Sequence, residues 1–395
     1  MHRRAGLKLF RALALLASFC VSTALGDARA ARGESGVLES VRFDPDDMPV
    51  LLPLRVGDKE YRFVMDFGSS ISIFDASLRP HLGSALGEKR VGTAVGVAAR
   101  VELFTPPEAC LGNNVKMPAD GVVACVDLSP LREHEGRAVD GLLGVDFFRS
   151  HIVAVDFDRG YVRVLDSAVI PDESWGEQTP LVYSAAGLPQ VSVALGGSLQ
   201  APFVLDSGDF GTMSGRIDAS LFAALAKLGR LRSVGSCSSM GLGRLYRLPV
   251  GRVGLVVVGS NRHQNLLLSE GNGNALGLRF LRRYRAIFDF PRARLYLAKG
   301  ERFAEPDRGS LSGLSFRFSN GGVLVADVNE RGAGYAAGVR VGDRLLEIGG
   351  THAAALSMSV ITHLFANNEG RPLPVILERR GARFHATIVP GEFND

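Results

Sequence analysis

Phe63-Val64-Met65-Asp66-Phe67-Gly68 and Phe203-Val204-Leu205-Asp206-Ser207-Gly208 are two copies of one phrase, 140 residues apart. At the same offset Pro49 meets Pro189 and Gly57 meets Gly197. A second echo follows each copy. Leu143-Gly144-Val145-Asp146-Phe147-Phe148, running on to Asp156-Phe157, matches Leu276-Gly277-Leu278-Arg279-Phe280-Leu281, running on to Asp289-Phe290, at offset 133. Self-similarity of this kind marks a duplicated unit. Each copy ends an apolar strand on Asp-x-Gly. Two such units would bring two carboxylates together across a pseudo-twofold axis.

At 395 residues the chain has room for two to three domains, and 46% hydrophobic residues supply a core. Forty-seven glycines and many short Val/Leu/Ile/Phe runs between Gly, Pro and Asp predict a mainly β fold. Residues 1–30 read as a signal peptide: Arg3, Arg4, Lys8 and Arg11 precede an apolar stretch from Ala12 to Leu25, with small residues before two candidate cleavage points. An uncleaved anchor or a buried N-terminal helix is the other reading. The leader carries +4 of the chain's +4, so the remainder is near neutral and gives no reason to expect nucleic-acid binding. An exported, periplasmic or secreted location follows, with membrane contact only if the leader stays attached. Beyond Cys20, which departs with the leader, Cys110, Cys125 and Cys237 remain. Cys110 and Cys125 flank a turn at hairpin-like spacing. An oxidising compartment permits a disulfide between them, and two separate buried thiols are the alternative.

Residues 31–47 are polar and predict a loose segment. Pro49 to Met65 predict a β-hairpin around Gly57-Asp58 that delivers Asp66. Residues 166–180, which contain the only Trp, read as a linker between halves, and 298–310 as a polar connector closing the second repeat. The expected domains are therefore lobes at 45–168 and 178–300 and a separate module at 311–393, and removing 306–395 is expected to leave both lobes folded.

One Asp-x-Gly carries almost no information. Two, in matched apolar contexts, predict a carboxylate dyad. Two close carboxylates cannot both ionise easily, so one keeps a proton. The ionised partner can then deprotonate a water while the other polarises a carbonyl. No metal, cofactor or covalent intermediate is required. No His-Glu-x-x-His, Cys-x-x-Cys or Gly-x-Ser-x-Gly occurs.

On these motifs, residues 45–300 resemble the pepsin-like and retropepsin-like aspartic peptidases in bilobal single-chain form. The resemblance implies Asp66 and Asp206 as the catalytic pair. Phe67, Gly68, Ser69, Ser207 and Gly208 would support their turns. It also implies a polypeptide substrate and activity that rises below neutral pH. Leu142-Leu143-Gly144 and Ala275-Leu276-Gly277 match the family's later strand. Phe67 departs from the family's Thr/Ser, whose hydroxyl ties the two turns together. Asp209 departs from the small or hydroxyl residue usual after the Gly. Flap hairpins are expected at Val91 to Arg100, with Gly92 and Gly96, and at Gly235 to Gly243.

Residues 311–393 resemble a PDZ domain. Ala336-Ala337-Gly338-Val339-x-Val341-Gly342-Asp343-x-Leu345 matches that family's Ala-Gly…Gly-Asp block. Gly313-Leu314-Ser315-Phe316 resembles its carboxylate-binding loop, which implies binding of a C-terminal peptide or partner protein by strand addition. Docking of the module onto the protein's own lobes is the alternative. Three functions thus compete: an active exported endopeptidase, an impaired peptidase-like peptide binder, and a PDZ-centred scaffold.

Overall fold

The hairpin Leu51–Val56 and Lys59–Met65 turns at Gly57, whose φ of +59° suits a residue without a side chain. Its buried Phe63, Val64 and Met65 carry the chain to Asp66. The computed structural model describes residues 36–92, 98–241, 244–308 and 312–392. The leader at 1–30 lies outside the described residues, as do Gly96 and Gly243 of the two expected flaps. From Leu38 onward the described residues form one compact unit.

The fold is mainly β. Leu51–Val56 and Lys59–Met65 belong to a nine-stranded sheet, and Pro189–Leu195 and Leu199–Asp206 to an eight-stranded one. Each sheet treats its Asp-bearing strand alike. Gly141–Leu143 runs parallel to Lys59–Met65 and antiparallel to Ile73–Asp75. Ala275–Gly277 runs parallel to Leu199–Asp206 and antiparallel to Gly215–Asp218. The turns close by matching bonds: Val145 N–H donates to the Ser69 carbonyl at 2.9 Å, and Leu278 N–H to the Asp209 carbonyl at 2.7 Å.

A six-stranded sheet joins the halves. Ile152–Asp156 pairs antiparallel with Tyr284–Asp289, and Ala154 faces Ile287. Those two residues are 133 apart, the offset of the repeat itself. The pseudo-twofold axis therefore passes through this pair. One hydrophobic core runs from Met48 to Leu297 through both halves and the joining sheet.

Three expectations are corrected here. From Leu38 the strand Val37–Arg42 joins the six-stranded sheet, because Leu38 and Val41 alternate onto the core. Residues 31–47 are thus not loose throughout. The linker 166–180 ends in a strand, Glu177–Pro180, paired with Arg294–Lys299, and Trp175 packs edge-on against Tyr296. Cys110 and Cys125 are free thiols. Cys110 lies on Ala109–Leu111, paired with Leu51–Val56, whereas Cys125 lies on Val123–Val126, paired with Ile73–Asp75. Four strands of the sheet separate them. At about 4.8 Å per step that is far beyond the reach of a disulfide.

Residues 314–388 build a separate sheet around their own core. Leu314–Ser319 is its edge strand, paired only with Gly322–Val328. Helix Met358–Asn367 is capped by Ser357, whose hydroxyl accepts from Val360 N–H at 3.2 Å, and its Phe365 stacks on Phe316. The connector is anchored more firmly than its polarity suggests. Asp307 is buried and accepts from Leu267 N–H at 2.7 Å and from Arg279 at 2.9 Å. Arg283 lies 3.4 Å away. A deletion starting at 306 would remove this carboxylate from beneath two arginines, so a cut after Asp307 is expected to disturb the second lobe less.

Candidate active site

Asp66 and Asp206 end their strands at the same place in the repeat, and the fold brings the two turns face to face. Both are buried, at 9% and 7% exposure. Gly68 lies against the Asp206 carboxylate and Gly208 against the Asp66 carboxylate. A Cβ on either glycine would fall inside the opposing carboxyl group. The glycines are therefore required by close approach as well as by the turn. Gly68 N–H donates to Asp66 Oδ1 at 2.9 Å.

Burial, and then the Asp206 charge, push the Asp66 carboxyl up to about 8. A carboxyl raised this far holds its proton through neutral pH.

The turns are tied together from one side. Ser207 Oγ donates to the Met65 carbonyl at 2.8 Å and accepts from Phe67 N–H at 2.9 Å. Phe67 makes no reciprocal bond of this type. It is fully buried, with ring centroids 4.6 Å from Phe288, 5.2 Å from Phe290 and 5.5 Å from Phe148. Half of a hydrogen-bonded tie is thus replaced by an aromatic cluster whose partners come from both halves. Ser69 lies just past the turn and donates to the Ile71 carbonyl at 2.7 Å.

Sequence reasoning missed Arg216. Strand pairing places it beside Ala275 on Gly215–Asp218. Its guanidinium donates to Asp206 Oδ2 at 2.8 Å and to Asp209 Oδ2 at 2.9 Å. Burial pushes the Asp209 carboxyl up against the opposing pull of Arg216. Cys237 stands near Asp209 and stays a neutral thiol, pushed up to about 12 by burial and by that charge. The unusual Asp209 was the only hint in the sequence, since a buried carboxylate needs a counter-ion.

The flap candidates are hairpins: Ala85–Gly92 with Ala98–Phe104, and Leu231–Gly241 with Arg244–Val258. The second is held by the C-terminal module. Arg247 donates to Asp327 at 2.7 Å, and Asn329 donates to Ser236 Oγ at 2.8 Å.

In that module Leu314 and Phe316 point into the core, and Gly313, at φ +72°, turns the chain into the edge strand. Ser315 pairs with Asp327 at a bulge. The helix Ser129–Glu135 of the first half lies against both the edge strand and helix Met358–Asn367. Gly136, left-handed at φ +69°, sits directly on the Phe318 ring. An added strand would pair with that edge, and the protein's own helix packs against it.

Residues 324–379 match the family model of the PDZ domain. No curated protein matches the chain. Among solved structures, an aspartic proteinase from Irpex lacteus is similar at 15% identity and a TM-score of 0.41. The similarity covers 68% of this chain and 99% of that one.

Proposed function

We propose that this protein is an exported aspartic-type endopeptidase that cleaves extended polypeptide with Asp66 and Asp206. The observation that carries the reading is the mutual burial of the two turns, each carboxyl against the other turn's glycine. In the mono-protonated pair, the ionised carboxylate takes a proton from the attacking water. The protonated one donates to the carbonyl oxygen of the scissile peptide. The tetrahedral adduct collapses when the leaving nitrogen receives the proton held by one carboxyl and an adduct hydroxyl returns a proton to the other, so the pair again holds one proton. The hairpins 85–104 and 231–258 flank the substrate's path. The PDZ module recruits polypeptide or a partner protein once the helix Ser129–Glu135 gives up the edge strand.

A second reading, binding without cleavage, is favoured by one observation: Arg216 already occupies an oxygen of Asp206. Cleavage of an unfolded protein separates the two. Asp66→Asn and Asp206→Asn should each lower the rate by about 10²–10⁴-fold with an unchanged melting profile at pH 5, and a statine-type inhibitor should block the wild type. Equal turnover by all three proteins would remove aspartic catalysis. Inhibitor binding without any turnover would favour the second reading.

A further inference from the structure

We propose that Arg216 is a positioning residue that assigns the dyad's single proton: by holding Asp206 and Asp209 together, it keeps Asp206 as the base and leaves Asp66 as the acid. This rests on the peptidase reading and specifies the roles within it.

The argument is one of charge placement. Three carboxyl groups stand near one guanidinium: Asp66 and Asp206 are buried, and Asp209 and Arg216 are partly buried. Arg216 is 13% exposed in its side chain, Asp206 9% and Asp209 28%. A planar fork that spans two carboxylates is the arrangement in which a buried arginine meets both partners with directed bonds. Asp66 stands outside that fork. Among the described residues its carboxyl accepts from the Gly68 N–H, and Asp206, Arg216 and Asp209 are the charges that act on it. Protonating Asp206 would leave the guanidinium facing a neutral partner and Asp66 as a charge without a cation. Protonating Asp66 leaves both remaining carboxylates on the guanidinium. Cys237, beside Asp209, adds no charge of its own.

The repeat provides an internal control. Leu142 and Ala275 are equivalent at offset 133. Ile73 pairs with Leu142 as Arg216 pairs with Ala275. Ile73 is therefore the counterpart of Arg216, and Ser69 is the counterpart of Asp209. A dyad flanked alike on both sides would share its proton between two equal arrangements. Here the cation stands on one side, so one arrangement is selected. The water is then deprotonated from the second-lobe side, and the substrate carbonyl meets the proton from the first.

Infrared titration of the full-length protein tests this without relying on turnover. At pH 6 the wild type should show a protonated-carboxyl band that is absent from Asp66→Asn and retained in Asp206→Asn. In Arg216→Gln/Asp66→Asn a protonated-carboxyl band should reappear, since Asp206 and Asp209 then share a buried site without a cation. In a cleavage assay Arg216→Gln should lower kcat at pH 7 by about 10-fold to 100-fold with little change in KM. The acid limb of its pH profile should move up by about 1 to 3 pH units. Arg216→Lys, which keeps the charge, should restore most of the wild-type profile. A band lost from Asp206→Asn but kept in Asp66→Asn would overturn the assignment, as would a pH profile unchanged in Arg216→Gln. Should Asp66→Asn cleave as well as wild type while the bands behave as stated, the peptidase reading fails and the proton assignment stands.

Discussion

The two turns share a backbone and differ in almost everything that touches it. After Asp206 comes Ser207, which hydrogen-bonds across to the first turn, whereas after Asp66 comes Phe67, which packs among Phe148, Phe288 and Phe290. Past the second turn stand Asp209 and Arg216, and past the first stand Ser69 and Ile73. A third contrast lies in the following helices. Asp146 turns inward and accepts from Ser72 N–H and Oγ at 3.0 and 2.9 Å. Its counterpart Arg279 reverses the charge and reaches out to Asp307 in the connector. Duplication thus fixed the geometry that two carboxylates need to meet. Divergence then gave the first half an apolar support and the second half the charges. Both halves bond to the connector, the second through Arg279 and Asp307 at 2.9 Å and the first through Asp158, which accepts from Glu301 N–H at 3.0 Å.

Four measurements would break or sharpen this contrast. The largest effect is expected from Phe67→Thr, which empties part of the aromatic cluster. Stability should fall by about 3–4 kcal/mol, near the range for large core truncations, with no gain in cleavage. A denaturant melt paired with a rate assay reads both, and a variant as stable as wild type would show that the cluster is not the support described. Next is Asp307→Ala, which leaves Arg279 and Arg283 facing each other without their carboxylate. A loss of about 2–3 kcal/mol is expected, whereas Asp146→Ala, its counterpart, should cost about 1–2 kcal/mol through the two lost bonds from Ser72. Equal losses would erase that contrast.

Ser207→Ala should cost about 1–3 kcal/mol, because the buried Phe67 N–H is left without an acceptor. Thermal unfolding measures it, and a null result would mean that the aromatic cluster alone holds the turns together. The last measurement is of a slope. The Asp66 carboxyl is raised in the folded state, to about 8 from about 4 in the unfolded chain. Its contribution to stability is therefore fully present below about pH 4 and lost as pH rises through about 8. Asp66→Asn should flatten the fall in melting temperature across that interval. A wild-type curve that rises from pH 4 to 8, left unchanged by the substitution, would contradict the raised value.

What the sequence disclosed follows the distance over which each feature is encoded. The paired Asp-x-Gly phrases and the Ala-Gly…Gly-Asp block are local, because turns demand particular residues at fixed spacings, and they were legible as a duplication and as a PDZ-like module. The role of Arg216 was not, since it depends on a strand register that sets residue 216 beside residue 275. Phe67 stood out as an oddity, but its three ring partners are scattered from 148 to 290, so its packing could not be foreseen. The spacing of Cys110 and Cys125 suggested proximity, yet the two short strands pair with different partners and part company. Strand Val37–Arg42 hid behind its polar neighbours. Docking of the module onto the lobes stood as an alternative, but the helix that makes the contact was not legible, because surface docking between distant segments has no periodicity.

The six-stranded sheet bears on how this chain reaches its fold. Its central pairing joins Ile152–Asp156 to Tyr284–Asp289. A chain emerging N-terminus first therefore exposes Ile152–Asp156 as an open strand edge until about 130 more residues have followed, on the order of ten seconds at ordinary rates of synthesis. The exposed strand reads Ile-Val-Ala-Val-Asp, which is apolar, β-prone and free of proline. Such a segment is the kind that pairs with a second copy of itself. The pairing on which the pseudo-twofold axis lies stays open until the second half is nearly complete, and that interval is one in which this chain is exposed to aggregation.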